Sequence, residues 1–236
     1  MPAAHTALLP AIAAILLASA GVAYSSIGTG APSPAAVEPA PMAVEPGPVG
    51  VAAASDTAVF AGGCFWGVEA VFESLAGVSE AVSGYAGGSG ASPTYREVSS
   101  GRTGHAESVR VVYDPSKISY DQLLQVFFTV AHDPTQLDRQ GPDVGPQYRS
   151  AVFYRGAAQR DALERYLAKL RDAGVWPRPI VTEVSPLEQF HLAEEYHQNY
   201  LVRHPTQPYI VINDMPKLEE LRKRYPSLLR ASSLSH

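Results

Sequence analysis

The chain changes character at Ser55, and that break confines whatever folds. Leu8 to Ala23 is an uncharged apolar run (LLPAIAAILLASAGVA), and residues 24–54 are rich in Pro, Ala, Gly and Val. The run reads as a signal peptide or N-terminal membrane anchor over residues 1–23. Ala18-Ser19-Ala20 and Val22-Ala23 offer small-residue cleavage sites, although the segment before the run carries His5 and no Lys or Arg. Export to the periplasm or cell envelope is the expectation. Residues 24–54, with Pro39-Ala40-Pro41 and Glu45-Pro46-Gly47-Pro48, have the composition of an extended, solvated linker. One compact domain is then expected over residues 55–230, followed by a short tail at 231–236.

Within residues 55–230 helical and strand patterns alternate. Thr57 to Ala61 reads as a strand, Gly62-Gly63 as a turn, and Phe65 to Leu75 as a helix. Ala106 to Tyr113 is a strand closed by Asp114-Pro115. Ser119 with Gln122 forms a capping-box pattern, and Tyr120, Leu123, Leu124, Phe127 and Val130 make one apolar helix face. Tyr148 to Tyr154 reads as a strand; Leu163, Tyr166, Leu167 and Leu170 mark a helix that Gly174 stops. A last helix covers Lys217 to Tyr225, with Glu219/Lys223 and Glu220/Arg224 in the favourable i, i+4 order. The pattern predicts an α+β domain around a mixed β-sheet.

A net charge of −5 with scattered Lys and Arg builds no basic stripe, which argues against nucleic-acid binding. Small molecules or other proteins are the expected partners. The one cysteine, Cys64, forbids an internal disulfide. In Gly62-Gly63-Cys64-Phe65-Trp66-Gly67 it stands where a strand turns into a helix, and unpaired amides at a helix N-terminus favour an anion. That position predicts a lowered thiol pKa and a reactive sulfur beside an aromatic slot of Phe65 and Trp66. The bland alternative is a buried structural cysteine. Alternation along Ala106–Tyr113 places Glu107 on the face of Val109, Val111 and Tyr113, where burial raises a carboxyl pKa. The competing reading is a strand-end Glu that tips into solvent.

Other polar and aromatic clusters are weaker alone. Ser83 to Gly88, Pro93 to Glu97 and Gly145 to Ser150 each set a tyrosine near a turn. Taken singly, each reads as a core aromatic with a satisfied hydroxyl rather than a donor to a substrate oxygen. His191 to Gln198 lacks the His-Glu-x-x-His spacing of a helical zinc site, so a partly buried helix with a hydrogen-bonded His191 is expected there, with His197 left open.

Together the motifs resemble the A-type methionine sulfoxide reductase family over about residues 56 to 210. The resemblance rests on Gly63-Cys64-Phe65-Trp66-Gly67, Thr103-Gly104-His105-Ala106-Glu107, Gly84-Tyr85-x-Gly87-Gly88, Pro93-Thr94-Tyr95-Arg96-Glu97-Val98, Gln147-Tyr148-Arg149-Ser150 and Glu195-Tyr196-His197-Gln198. It implies a two-layer α/β sandwich and reduction of the S epimer of free or protein-bound methionine sulfoxide. It also implies roles: Cys64 as nucleophile, Phe65 and Trp66 around the substrate methyl group, Glu107 as proton donor to the sulfoxide oxygen. Tyr95 and Tyr148 would hydrogen-bond that oxygen, with Asp143 and His197 as supporting polar residues. No bound cofactor or metal is implied. Many members carry a C-terminal resolving cysteine; Tyr200 to His236 has none, and position 99 is Ser99. The sulfenic acid formed on Cys64 must therefore meet an external thiol, from a thioredoxin-like protein, glutaredoxin with glutathione, or a small thiol. Two other classes compete: a Cys/His hydrolase using His105 or His197, and an envelope module that binds methionine-rich proteins without turnover.

Overall fold

The structure is a computed structural model that describes residues 55–89 and 93–231. The apolar run, the linker and residues 232–236 lie outside the described residues. In chain order the elements are β1 (Asp56–Gly62), α1 (Phe65–Glu73), β2 (Val78–Ala86), α2 (Tyr95–Val98), β3 (Ala106–Tyr113) and α3 (Tyr120–Val126). They continue with β4 (Arg139–Gln140), β5 (Asp143–Val144), β6 (Ser150–Tyr154), α4 (Ala157–Asp172), β7 (Glu183–Pro186), β8 (Phe190–Leu192), α5 (Tyr200–Arg203) and α6 (Met215–Arg224).

Six strands form one mixed sheet in the order β7-β6-β1-β3-β2-β8, and β4 with β5 makes a separate small ribbon. The β7/β6 pair is parallel and the other pairs are antiparallel. Strand alternation divides the buried residues between two faces. Ala58 and Phe60 of β1 and Val109, Val111 and Tyr113 of β3 join the main core with residues of α1, α3, α4 and α6. Val59, Ala61, Ala106, Ala151 and Phe153 form a thin cluster on the opposite face, covered by Leu187 and Phe190. The helices therefore build one layer and the sheet the other, the two-layer sandwich expected. Phe60 anchors their junction, stacked on Phe72 of α1 and on Phe127, each at 4.9 Å between ring centroids.

The capping box at Ser119 and Gln122 is formed as the spacing predicts, and α3 runs on into a π-helical turn over Phe127–Ala131. In α6, Arg224 pairs with Glu220 as anticipated, while Lys223 also lies 4.0 Å from Glu220. Two expectations fail. Tyr148 does not begin a strand: Pro146 opens a 3-10 turn over Pro146–Tyr148, and β6 begins at Ser150. Proline fixes φ near the turn value and donates no ladder hydrogen bond. Nor is His191 to Gln198 a helix: it splits into β8 and a 3-10 turn over Glu195–His197. His191 is half-buried with its Nε2 unpartnered, against the hydrogen-bonded histidine expected.

Candidate active site

Cys64 is the N-cap of α1, held between the sheet and the first helical turn. Gly63 reaches this turn at φ +89°, and a Cβ there would overlap the Gln140 side chain from β4, so only glycine lets the strand turn this tightly into the helix. The sulfur opens into a pocket of about 260 Å³ lined by Cys64, Phe65, Trp66, Tyr95, Glu107, Asp143, Tyr148, Gln207 and Tyr209. Five separate stretches of sequence meet there. Seven of the eight residues singled out from sequence are among them.

Glu107 does not tip into solvent. It is 2% exposed, and its Oε2 accepts the Phe65 N–H at 3.1 Å. The carboxyl is thus seated against an unpaired amide of the helix that Cys64 caps. Burial pushes its pKa up to about 8, against the pull of the Phe65 amide and with Asp143 adding to the rise. At neutral pH Glu107 is mostly a neutral acid.

The thiol departs from expectation. Burial pushes Cys64 well above the ordinary thiol range, Glu107 and Asp214 add to the rise, and the Trp66 N–H and the Lys217 ammonium oppose it. The start of a helix favours a thiolate, but Cys64, only 8% exposed, loses more hydration than those amides return. Both shifts favour the protonated forms of Cys64 and Glu107.

The aromatic wall is braced from behind. Trp66 stacks on Tyr200 with centroids 3.7 Å apart and planes 9° from parallel, and meets Tyr209 edge-on. Its indole N–H donates to His197 Nδ1 at 3.2 Å. His197 does not line the pocket. It is buried behind Phe65 and Tyr95, at 5.0 and 4.4 Å between centroids, and burial holds its pKa low. A neutral ring that accepts at Nδ1 carries its hydrogen on Nε2. Tyr95 heads α2, where Thr94 and Glu97 form a capping box, and its backbone N–H donates to Glu194, which also takes the Tyr85 hydroxyl. The Tyr209 hydroxyl donates to Asp143, fixing that carboxylate at the pocket edge.

Sequence reasoning missed Gln207, Tyr209, Tyr200 and Glu194. All four come from the irregular segments around α5, where no period of 2 or 3.6 marks an inward face. A tyrosine after Pro208 was the one available signal. A larger cavity of about 450 Å³ lies toward the far end of α1, with Glu73, Met215 and Arg230 in its lining and no cysteine. The Cys/His alternative loses its geometry here, since neither His105 nor His197 shares the pocket with the sulfur.

Comparison with known proteins agrees with this arrangement. Residues 56–228 match the model of the peptide methionine sulfoxide reductase family. A peptide methionine sulfoxide reductase MsrA 2 of Mesorhizobium japonicum is 53% identical over 177 residues, 75% of this chain and 91% of its own. An MsrA of Natronomonas pharaonis is 54% identical over 169 residues, 72% of this chain and 94% of its own. Among solved structures, methionine sulfoxide reductase A of Corynebacterium diphtheriae is similar with a TM-score of 0.55 and 40% identity, over 74% of this chain and 87% of that one. Reduced Mxr1 of Saccharomyces cerevisiae gives a TM-score of 0.59 and 34% identity, over 65% and 87% of the two chains. With its motifs, its sandwich and its family match all in agreement, the chain belongs to the peptide methionine sulfoxide reductases, oxidoreductases that use thiols to reduce methionine sulfoxide.

Proposed function

We propose that Cys64 attacks the sulfur of the S epimer of methionine sulfoxide, free or in a polypeptide, while Glu107 protonates its oxygen. One observation carries the reading: a mostly neutral carboxyl and the only thiol of the chain meet at the first turn of α1 in one pocket. A sulfoxide oxygen leaves sulfur only when protonated or strongly hydrogen-bonded, and Glu107 is buried in the form that can give a proton. Tyr95 and Tyr148, whose phenols burial keeps protonated, donate to the same oxygen. Phe65 and Trp66 receive the methyl group, and this apolar wall and the acid, meeting in one pocket, select one epimer. Asp143 and His197 support the site, the first through Tyr209 and the second through Trp66.

The step balances without a cofactor. The Cys64 thiol and the sulfoxide give a sulfenic acid and a thioether, with oxygen and two electrons exchanged between the sulfurs. One external thiol then condenses with the sulfenic acid to a mixed disulfide and water, and a second releases Cys64. With no other cysteine in the 236 residues, a thioredoxin-like protein, glutaredoxin with glutathione, or a small thiol supplies both.

The test is turnover of separate S and R epimers of a methionine sulfoxide peptide with dithiothreitol, scored by mass. Conversion of S alone, abolished in Cys64→Ser and strongly reduced in Glu107→Gln, is expected; conversion of R, or full activity of Cys64→Ser, rejects the reading. Residues 1–23 support export, as leader or anchor, which fractionation of cells expressing the whole chain would test.

A further inference from the structure

Two charged residues touch the start of α1 and take no part in the chemistry above. Asp214 ends the π-helical turn Ile210–Asp214, and Lys217 stands in the first turn of α6. Asp214 is 0% exposed; its Oδ1 accepts from Lys217 Nζ at 3.1 Å, and its Oδ2 is buried without a partner. The pair is pressed onto the helix that Cys64 caps. A Cβ on Gly67 would run into Asp214 Oδ1 and stand 2.9 Å from Lys217 Nζ, so Gly67 is the opening through which the pair reaches the backbone one turn from the sulfur.

A helix N-terminus offers one positive potential, and an anion already seated beside it weakens what remains for a thiolate. The buried carboxylate and the ionised sulfur therefore compete, and the ammonium moderates the competition. The other groups facing Cys64 are Glu107 from β3, Asp143 from β5, and the phenols of Tyr95, Tyr148 and Tyr209. All of those line the pocket, so their surroundings change when a substrate fills it. Asp214 and Lys217 do not line it.

We propose that Asp214 and Lys217 are positioning residues that set how readily Cys64 ionises, Asp214 holding the proton on the sulfur and Lys217 limiting that hold. Both act on the thiol in the directions this requires. The use is protective: a chain with one cysteine cannot shelter it in an internal disulfide, and a protonated thiol reacts slowly with peroxides and foreign disulfides. The proposal rests on Cys64 being the nucleophile.

The experiment is the pH dependence of Cys64 alkylation by iodoacetamide on the full chain. Asp214→Asn is expected to lower the midpoint by about 0.5–1 unit, Lys217→Met to raise it by a similar amount, and Lys217→Arg to leave it in place. Burial raises the pKa of the Asp214 carboxyl and Lys217 holds it down, so Lys217→Met is read against Lys217→Arg, which keeps the charge beside it. Simple loosening of the fold would instead expose the sulfur and lower the midpoint in every variant. Unmoved midpoints, or shifts of the same sign in both neutral variants, overturn the proposal. If Asp214→Asn does not fold, Lys217 decides alone: a midpoint unmoved or lowered in Lys217→Met overturns it. Alkylation needs no turnover, so failure here is distinct from failure of the nucleophile assignment, which Cys64→Ser reports.

Discussion

Glu107 is a protonated acid because strand alternation turns it inward, and its titration has two readable consequences. Its folded pKa of about 8 exceeds the ordinary carboxyl value of 4.5, so the native state holds a proton that the unfolded chain gives up earlier. Stability from this group is full below pH 4.5 and is lost as pH rises through about 8. Glu107→Gln should therefore melt higher than the parent above pH 8 and differ little at pH 5, which calorimetry at the two pH values would check. The same titration should appear in kcat/KM, falling through about pH 8 in the parent. In Glu107→Gln that limb should vanish and the rate at pH 7 should drop by about 100-fold or more. A limb that survives the substitution assigns it to another group. The burial of Glu107 was legible from Ala106 to Tyr113 alone. The direction of the Cys64 shift was not: a sequence shows that a helix begins at Phe65 but not how deeply Cys64 is buried, nor that Glu107 and Asp214, far off in the chain, act on it.

The two capping boxes let one interaction be compared in two settings. Ser119 caps α3, which carries core residues, whereas Thr94 caps α2, which carries Tyr95 into the pocket. Loss of either cap should cost about 1 kcal/mol of local stability. Ser119→Ala is expected to lower the melting temperature with KM unchanged, and Thr94→Ala to raise KM severalfold with a smaller effect on melting. Steady-state kinetics beside thermal melts separates the two, and matching kinetic profiles would refute the distinction. A second support runs through Glu69 of α1, which is 1% exposed. Its two oxygens accept from the Asn199 N–H and the Ser83 hydroxyl. Asn199 sits at φ +52° immediately before Tyr200, the residue stacked on Trp66. Glu69→Gln replaces one acceptor by a donor and should destabilise by about 1–3 kcal/mol, with KM rising as the tryptophan loses its brace. An unchanged KM in a folded variant would detach Glu69 from the pocket. The helices with clear periodicity and the Ser119 box were legible. Tyr200, Tyr209 and Glu194 were not, because short turns expose no repeating face and their partners lie far away in sequence.

At the scale of the molecule, the buried residues of both cores among the described residues run from Ala58 to Leu229. Protein beginning at Ser55 is therefore expected to fold and to reduce the S epimer within about twofold of the full chain, since the burial that drives folding is retained. A large deficit would give residues 1–54 a part in the domain. The mixed sheet with helices was readable from composition and pattern. The strand order was not, because it depends on pairings such as β1 with β6 that local sequence does not encode.

The end of the domain also ties back to its beginning. Leu75 forms an isolated bridge with Leu229, the Arg230 N–H donates to the Ser74 carbonyl, and the Arg230 guanidinium reaches the Leu75 carbonyl 155 residues upstream. The trailing end of α1 is thus fastened in part by Leu229 and Arg230. The helix that begins beside Cys64 is closed off at its far end by residues from the other end of the domain. Joined in this way, the two ends of the domain meet through the helix that carries the reactive sulfur, so loosening at Arg230 is expected to be felt along α1 and not only at the edge of the fold.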